Sequence, residues 1–371
     1  RRRLTVSHSQ LETFRACPAL WGFRYAEGLR PLVEPEPLRA GKLMHVGLAA
    51  GYQALFSAMM GSDAVDAAVS AAEVAIERAH VDSGGDRDAE GSRVAHRIVS
   101  HYFRVFGPED RAHLVPLAIE ENFTVPVPNA AGRGSPVWLR GTFDLVAWDR
   151  RYRHVVLHEH KTTTRQPWTL DRKLEMDPQT SGYIWAIRRE LRRGRWASTL
   201  FRHGIEVTGE PPTGRVVYNV LRRAEPRVPH VNRDGRVSSA AIDTLPEIYE
   251  QALRDHGQHP DQVEEALRSS VDGSGAQDLP KVIGATEKQL ERLAQLRAQG
   301  DTFLARHEYQ RTDEEVERWA REALVDGARI RAADRDPGLR TRTPSWCWDR
   351  GCEYWDVCMR PEDDTIRRAQ F

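Results

Sequence analysis

The chain has 371 residues, 40% hydrophobic and 29% charged, with equal numbers of acidic and basic side chains. This composition fits one large folded domain or two, and it excludes a disordered chain, a membrane-bound one and a histone-like binder that holds nucleic acid by net charge alone. No apolar run reaches the ~20 residues a bilayer crossing needs, so a cytoplasmic protein is expected, and the opening Arg-Arg-Arg-Leu-Thr-Val, without a start methionine, is expected of a trimmed piece of a longer chain.

Ser7 to Phe14 reads as a capped helix start running into Cys17-Pro18; Trp21, Phe23 and Tyr25 follow, then a loop at Pro31, Pro35 and Pro37. An alanine-rich helical stretch begins near Gly41 and runs to about residue 80. Residues 82–92 form a Gly/Asp/Ser loop, and a further helix covers 92–106. Strand-forming residues mix with charges from Leu114 to Val127. Trp138–Trp148 and His154–Glu159 have the pattern of two paired strands with a turn at Asp149-Arg150-Arg151. A helix is expected over 177–194 and a strand over Arg215–Leu221. Helical segments are expected over 238–256 and 285–328, separated by a Gly/Ser/Asp-rich loop at 271–276. The sum is a small sheet framed by helices, with no internal repeat.

The chemistry concentrates between residues 141 and 161. Gly141-Thr142-Phe143-Asp144 lies in one predicted strand and His158-Glu159-His160-Lys161 ends the next. Alternate strand residues share a face, so Glu159 and Lys161 point together while His158 and His160 point away. A hairpin would bring Asp144 to the same place. Two carboxylates and an ammonium suit a hard divalent cation with open positions for phosphate and water. An isolated Asp with Glu-x-Lys is more often a solvated ion pair, but the apolar Val155-Val156-Leu157 places these charges at the end of a buried strand. Only five basic residues are lysine (Lys42, Lys161, Lys173, Lys281 and Lys288), an arginine excess that genomic base composition accounts for; a lysine in such a position stands out against it. Glu120 and Glu121 precede the hairpin. The sequence does not choose between them, and surface charge is their default reading.

Gly141-x-x-Asp144, Glu159-x-Lys161 and Gln179-x-x-x-Tyr183, preceded by Gly41-Lys42-Leu43-Met44-His45, resemble in order and spacing the PD-(D/E)XK nuclease superfamily, in its RecB-like branch. The resemblance implies an α/β, restriction-endonuclease-like core: a small central mixed β-sheet flanked by helices. It implies catalytic positions at Asp144, Glu159 and Lys161, with Gln179 and Tyr183 on a helix beside them. It also implies magnesium or manganese held by His45, Asp144, Glu159 and the backbone carbonyl of His160. Blander readings stay open for the outer members. His45 could be an ordinary half-buried histidine, and Gln179 and Tyr183, four apart on one helical face, could merely pack.

Cys347-x4-Cys352-x5-Cys358 is a tight triple, and Cys17 is the one remaining cysteine. A secreted disulfide scaffold would be shorter and richer in cysteine. Structural zinc usually draws on two short Cys pairs, and there is no second pair here. One remote cysteine with a looped triple resembles the iron–sulfur arrangement of AddB-type nuclease domains and CRISPR-associated RecB-like exonucleases. That implies a 4Fe-4S cluster on Cys17, Cys347, Cys352 and Cys358, stapling the N- and C-terminal regions.

The expected protein is a metal-dependent DNA exonuclease acting on single-stranded DNA ends in recombination, repair or phage DNA metabolism, with protein partners from a recombination, repair or CRISPR-adaptation complex. Two other readings are an accessory DNA-end-binding subunit of a helicase–nuclease machine and a zinc-stapled structural protein. The chain lacks Gly-x4-Gly-Lys-Ser/Thr, so it carries no recognisable ATP-driven motor. Arg222-Arg223 is a candidate DNA contact, with a solvated basic pair as the alternative reading. The expected layout is a single nuclease domain over 1–371. Within it lie an N-terminal segment (1–40), a helical region with His45 (41–112), the catalytic sheet (113–225), a helical insertion (226–335) and the cysteine region (336–371).

Overall fold

Ser7 closes a short strand, β1 (Leu4–Ser7), and its hydroxyl accepts the Gln10 N–H at 3.1 Å, turning the chain directly into α1 (His8–Ala16). The computed structural model describes residues 3–32, 36–58, 63–84, 89–129, 136–207, 209–261, 284–362 and 365. The Cys17 sulfur accepts the Leu20 N–H at 3.5 Å and so caps α2 (Pro18–Trp21), with Pro18 in the first turn, where its missing N–H costs nothing.

The alanine-rich stretch is two helices, not one. α3 (Glu36–Ser57) stops, and Asp63 caps α4 (Ala64–Asp82) through the Asp66 N–H. With α5 (Ala89–His113), which extends at both ends beyond the expected 92–106, they pack as a three-helix layer. α3 buries Leu43, Met44, Leu48, Tyr52 and Leu55 there. Each such leucine or methionine contributes about 1.5–3 kcal/mol relative to exposure.

The sheet begins with β2 (Leu114–Val127), β3 (Val137–Asp149) and β4 (His154–Thr163), the last two joined by the expected turn. After them come α6 (Asp171–Glu175), α7 (Pro178–Arg192), α8 (Ala197–Arg202) and β5 (Arg215–Arg222). The remaining elements are α9 (Pro246–Asp255), α10 (Glu287–Gln299), β6 (Leu304–Gln310), α11 (Asp313–Arg335), α12 (Pro344–Arg350) and α13 (Trp355–Met359). The strand order is β1-β3-β4-β5-β6, with β2 also paired to β3. β1 runs parallel to β3, while β2 and β4 run antiparallel to it, so the sheet is mixed, as expected, and helices flank it. β6 lies inside the span expected to be helical. Asp301 accepts the Phe303 and Leu304 N–H groups at 2.8 and 3.0 Å and starts a strand, and a Thr312/Glu315 capping box then opens α11. The expected loop at 271–276 lies outside the described residues.

Two compact units are formed. The first comprises Arg1–Lys161, Asp171–Asn219 and Arg306–Phe371 and holds most of the sheet. In it α7 packs on β2, β3 and α11. Gly182 permits this approach, since a Cβ there would fall 2.6 Å from the Trp319 ring. The second unit, Thr162–Leu170 with Val220–Ala305, has its own small core of Val237, Tyr249, Leu253, Leu293 and Leu296. Among the described residues, no helix is long and apolar enough to cross a membrane.

Candidate active site

The site is built on a gap in the β3 ladder. β2 pairs with β3 along its whole length and so takes one edge. The other edge is shared. β1 covers Val137–Arg140, and β4 covers Leu145–Asp149. Between them, Gly141–Asp144 has no partner strand on that edge among the described residues. β4 pairing ends at His158 opposite Leu145, and the Asp144 carboxylate accepts the next backbone donor, the His160 N–H, at 2.7 Å. A side chain thus takes over a ladder bond where the strands part, and Asp144 and Glu159 line the opening. Gly141 is required for its bareness. A Cβ there would meet the Phe123 ring at 2.7 Å and the Tyr183 hydroxyl at 3.1 Å.

Glu159, Lys161 and Gln179 form a closed triangle. The Lys161 ammonium donates to Glu159 Oε1 at 3.1 Å and to Gln179 Oε1 at 2.7 Å, and the Gln179 amide donates back to Glu159 Oε1 at 2.7 Å. Gln179 reaches them from the first turn of α7. Tyr183, one turn on, packs edge-on against Phe123 and Phe143. Gln179 therefore touches the site directly, and Tyr183 packs on the Phe123 and Phe143 rings beside it. Burial works to lower the Lys161 pKa, but the charges of Glu159 and Asp177 outweigh it and hold the ammonium well above its usual range. Asp177, which caps α7, is a neighbour the sequence did not suggest.

His45 comes from α3, with Nδ1 at 3.3 Å from Asp144 Oδ1. Burial acts to lower its pKa, yet the hydrogen bond to Asp144 and the charges of Asp144, Glu159 and Glu120 raise it to about 9. Asp144 answers in the opposite sense. Burial pushes it up, but His45 and the His160 N–H hold it below the usual carboxylate range. Glu159 is raised to about 7 by burial and by Asp144. Its Oε2 is buried with no hydrogen-bond partner, an orphaned acceptor that a cation would satisfy.

The structure also decides between the two neighbouring glutamates. Glu121 is held by Arg195, whereas Glu120 lies across the ladder from Asp144 and turns into the site with a positive φ of 46°. One ligand atom each from His45, Glu120 and Asp144 lie within 4.8 Å of one another. Glu159 stands outside that trio. One imidazole with carboxylate oxygens is a donor set for a divalent cation. The register of β2 against β3 is the signal that marks Glu120.

The match to a family model settles the kinship: the model of the PD-(D/E)XK nuclease superfamily covers residues 5–359. The chain belongs to the PD-(D/E)XK nuclease superfamily. No curated protein matches it closely. Its membership and the carboxylate–histidine site together make it a metal-dependent nuclease by family.

Away from this nuclease centre the expectations fare differently. His158 and His160 point away from Glu159 and Lys161, as alternation requires. His158 meets Asn219, and the His160 ring lies between Tyr52, Tyr102 and His45. Arg222, a candidate DNA contact, is engaged bidentately by Asp243 at 2.9 and 2.6 Å. The four cysteines are free thiols, and among the described residues no three of their sulfurs lie within 4.8 Å of one another. They do share a neighbourhood. Burial raises the Cys352 pKa, and the thiols of Cys347, Cys17 and Cys358 add to that. Apolar packing of Cys17, Ala19 and Leu20 against Tyr354, with Trp346 and Cys352 alongside, already joins the terminal segments.

Proposed function

We propose that this nuclease is a divalent-metal-dependent DNA exonuclease of the RecB-like kind, hydrolysing phosphodiester bonds at single-stranded DNA ends in recombination, repair or phage DNA metabolism. The observation that carries the reading is the meeting of Asp144, Glu159, Lys161 and Gln179 at the parting of β3 and β4, with His45 brought to Asp144 from α3. Magnesium or manganese, held by His45, Asp144, Glu159 and the His160 carbonyl, with Glu120 beside His45 and Asp144 as a further carboxylate, would supply Lewis-acid activation of a water and neutralise charge on the scissile phosphate. Lys161 is kept protonated by its carboxylate neighbours. It therefore acts as a fixed cation that orients the attacking water and offsets charge building on phosphate, not as the base. Gln179 fixes both Glu159 and Lys161.

The 4Fe-4S cluster on Cys17, Cys347, Cys352 and Cys358 belongs to the same reading. Its support is the resemblance and the shared surroundings of the four thiols. One zinc would want its sulfurs ~3.8 Å apart at its ordinary bond length, closer than any three of these lie. Iron content and a visible chromophore in anaerobically purified protein, both lost in Cys17→Ala, test this part.

The deciding experiment uses end-labelled single-stranded, duplex and circular DNA with magnesium or manganese. Chelator-sensitive release of nucleotides from linear single strands is expected. Binding of ends without cleavage would make the protein an accessory subunit, and cleavage of circles would make it an endonuclease.

A further inference from the structure

We infer that Asp177 is a positioning residue that supplies the lasting counter-charge for Lys161; this rests on the nuclease reading above. Its carboxylate is divided between two tasks. Oδ1 accepts the Gln179 N–H at 2.9 Å and caps α7. Oδ2 lies 3.5 Å from the Lys161 ammonium, and the side chain is only 16% exposed.

The geometry around the ammonium shows why a second carboxylate matters. Lys161 has three N–H donors to place. Glu159 and Gln179 take two at hydrogen-bond distance, and Asp177 faces the ammonium as an anion. Of these groups, Glu159 is also a proposed cation ligand. A divalent ion drawing on Glu159 weakens that anion's hold on Lys161 and adds like-charge repulsion. Gln179 is neutral and cannot compensate. Asp177 lies outside the ligand set and keeps its charge for Lys161.

The backbone that carries Asp177 is firmly held. Its carbonyl accepts from Thr180 Oγ1 and from Arg311 Nη2, each at 3.3 Å. The same buried Arg311 donates to the Leu174 carbonyl at 2.9 Å. On its other side His8 Nε2 stands 3.9 Å from Asp177 Oδ1 and 3.4 Å from Glu12. The carboxylate is thus set by α7, whose Gln179 N–H it caps, on a backbone that Arg311, just ahead of α11, holds in place.

The test separates the cap from the charge. Asparagine caps a helix as well as aspartate does, so Asp177→Asn keeps the first task and removes the second, while Asp177→Ala removes both. For Asp177→Asn we expect an unchanged Tm and KM for DNA, with kcat lowered roughly tenfold or more. We also expect faster acylation of Lys161, read by peptide mass spectrometry against the other four lysines of the chain. Asp177→Ala should show the same losses with a lowered Tm. Wild-type turnover and unchanged Lys161 acylation in Asp177→Asn would overturn the inference and leave Asp177 a helix cap. A wild-type protein that cleaves no DNA would instead sink the nuclease reading, and the acylation comparison would still decide the role of Asp177.

Discussion

The Arg306 guanidinium grips both oxygens of Asp110, at 2.8 and 2.6 Å, and joins β6 to the end of α5. Its remaining donors reach Asn219 on β5 at 2.7 Å and the Tyr102 hydroxyl at 3.0 Å. Tyr52 donates to the same Asp110 at 2.8 Å and stacks on His160. Tyr52 is seven residues after His45 on α3, two turns along the same face. The buried pair therefore fixes the helix that presents His45 and packs the residue whose N–H holds Asp144. Arg306→Met strands a buried carboxylate and should cost about 3–5 kcal/mol in urea unfolding. Adding Asp110→Leu should recover much of that loss. A single variant as stable as wild type would show that the pair anchors nothing.

Lys161→Ala should abolish hydrolysis, and because it leaves the Glu159 and Asp177 carboxylates without their cation it should also lower Tm. Turnover of the pure variant on end-labelled DNA is the measurement. Activity near wild type would remove Lys161 from the centre.

Glu120→Gln should weaken manganese binding by about tenfold or more, with little change in Tm. Glu121→Gln should leave it alone, since Glu121 faces Arg195. Titration calorimetry with manganese in the absence of DNA reads both. Equal effects of the two substitutions would mean long-range charge and not a ligand.

Stability should peak near neutral pH. Burial, with the nearby Arg306 charge, holds His158 far below 6.5, and burial lowers His160 to about 3. Unfolded chains bind those protons first, so stability falls as pH drops below about 6.5. Glu159, raised to about 7, has the opposite sign and cancels one imidazole between about 7 and 4.5. The net is ~1.4 kcal/mol lost per pH unit on the acid side. His45, raised to about 9, contributes stability that is lost as pH climbs from 6.5 through 9. Urea midpoints from pH 4.5 to 9 check both limbs, and a profile flat across that range would contradict them.

Much of the centre was legible because it is local. The hairpin needs only alternation and a turn, and it carries Asp144, Glu159 and Lys161 within 18 residues of sequence. Gln179 and Tyr183 follow from helical spacing. What escaped depends on distant partners. β6 reads as helix because Arg306 and Glu308 are no signature of a strand. Arg306 is tolerated inside only because Asp110 and Asn219 accept its donors. Glu120 is set apart from Glu121 by a left-handed backbone that residue types do not show. Asp177 looks like any helix cap until Lys161 is placed beside it.

The packing of the two terminal segments also bears on how the protein is made. The Tyr354 hydroxyl donates to the Leu29 carbonyl across 325 residues of sequence, and the Ala19 N–H donates to the Thr341 carbonyl. Residues 17–29 leave the ribosome long before their cover exists. Cys17 and Leu20 must stay in water, or in the keeping of a chaperone, until residues 341–354 emerge. Closure of this corner is then a late, long-range step, and a ribosome stalled short of Thr341 would hold a chain whose first helices are still unclasped.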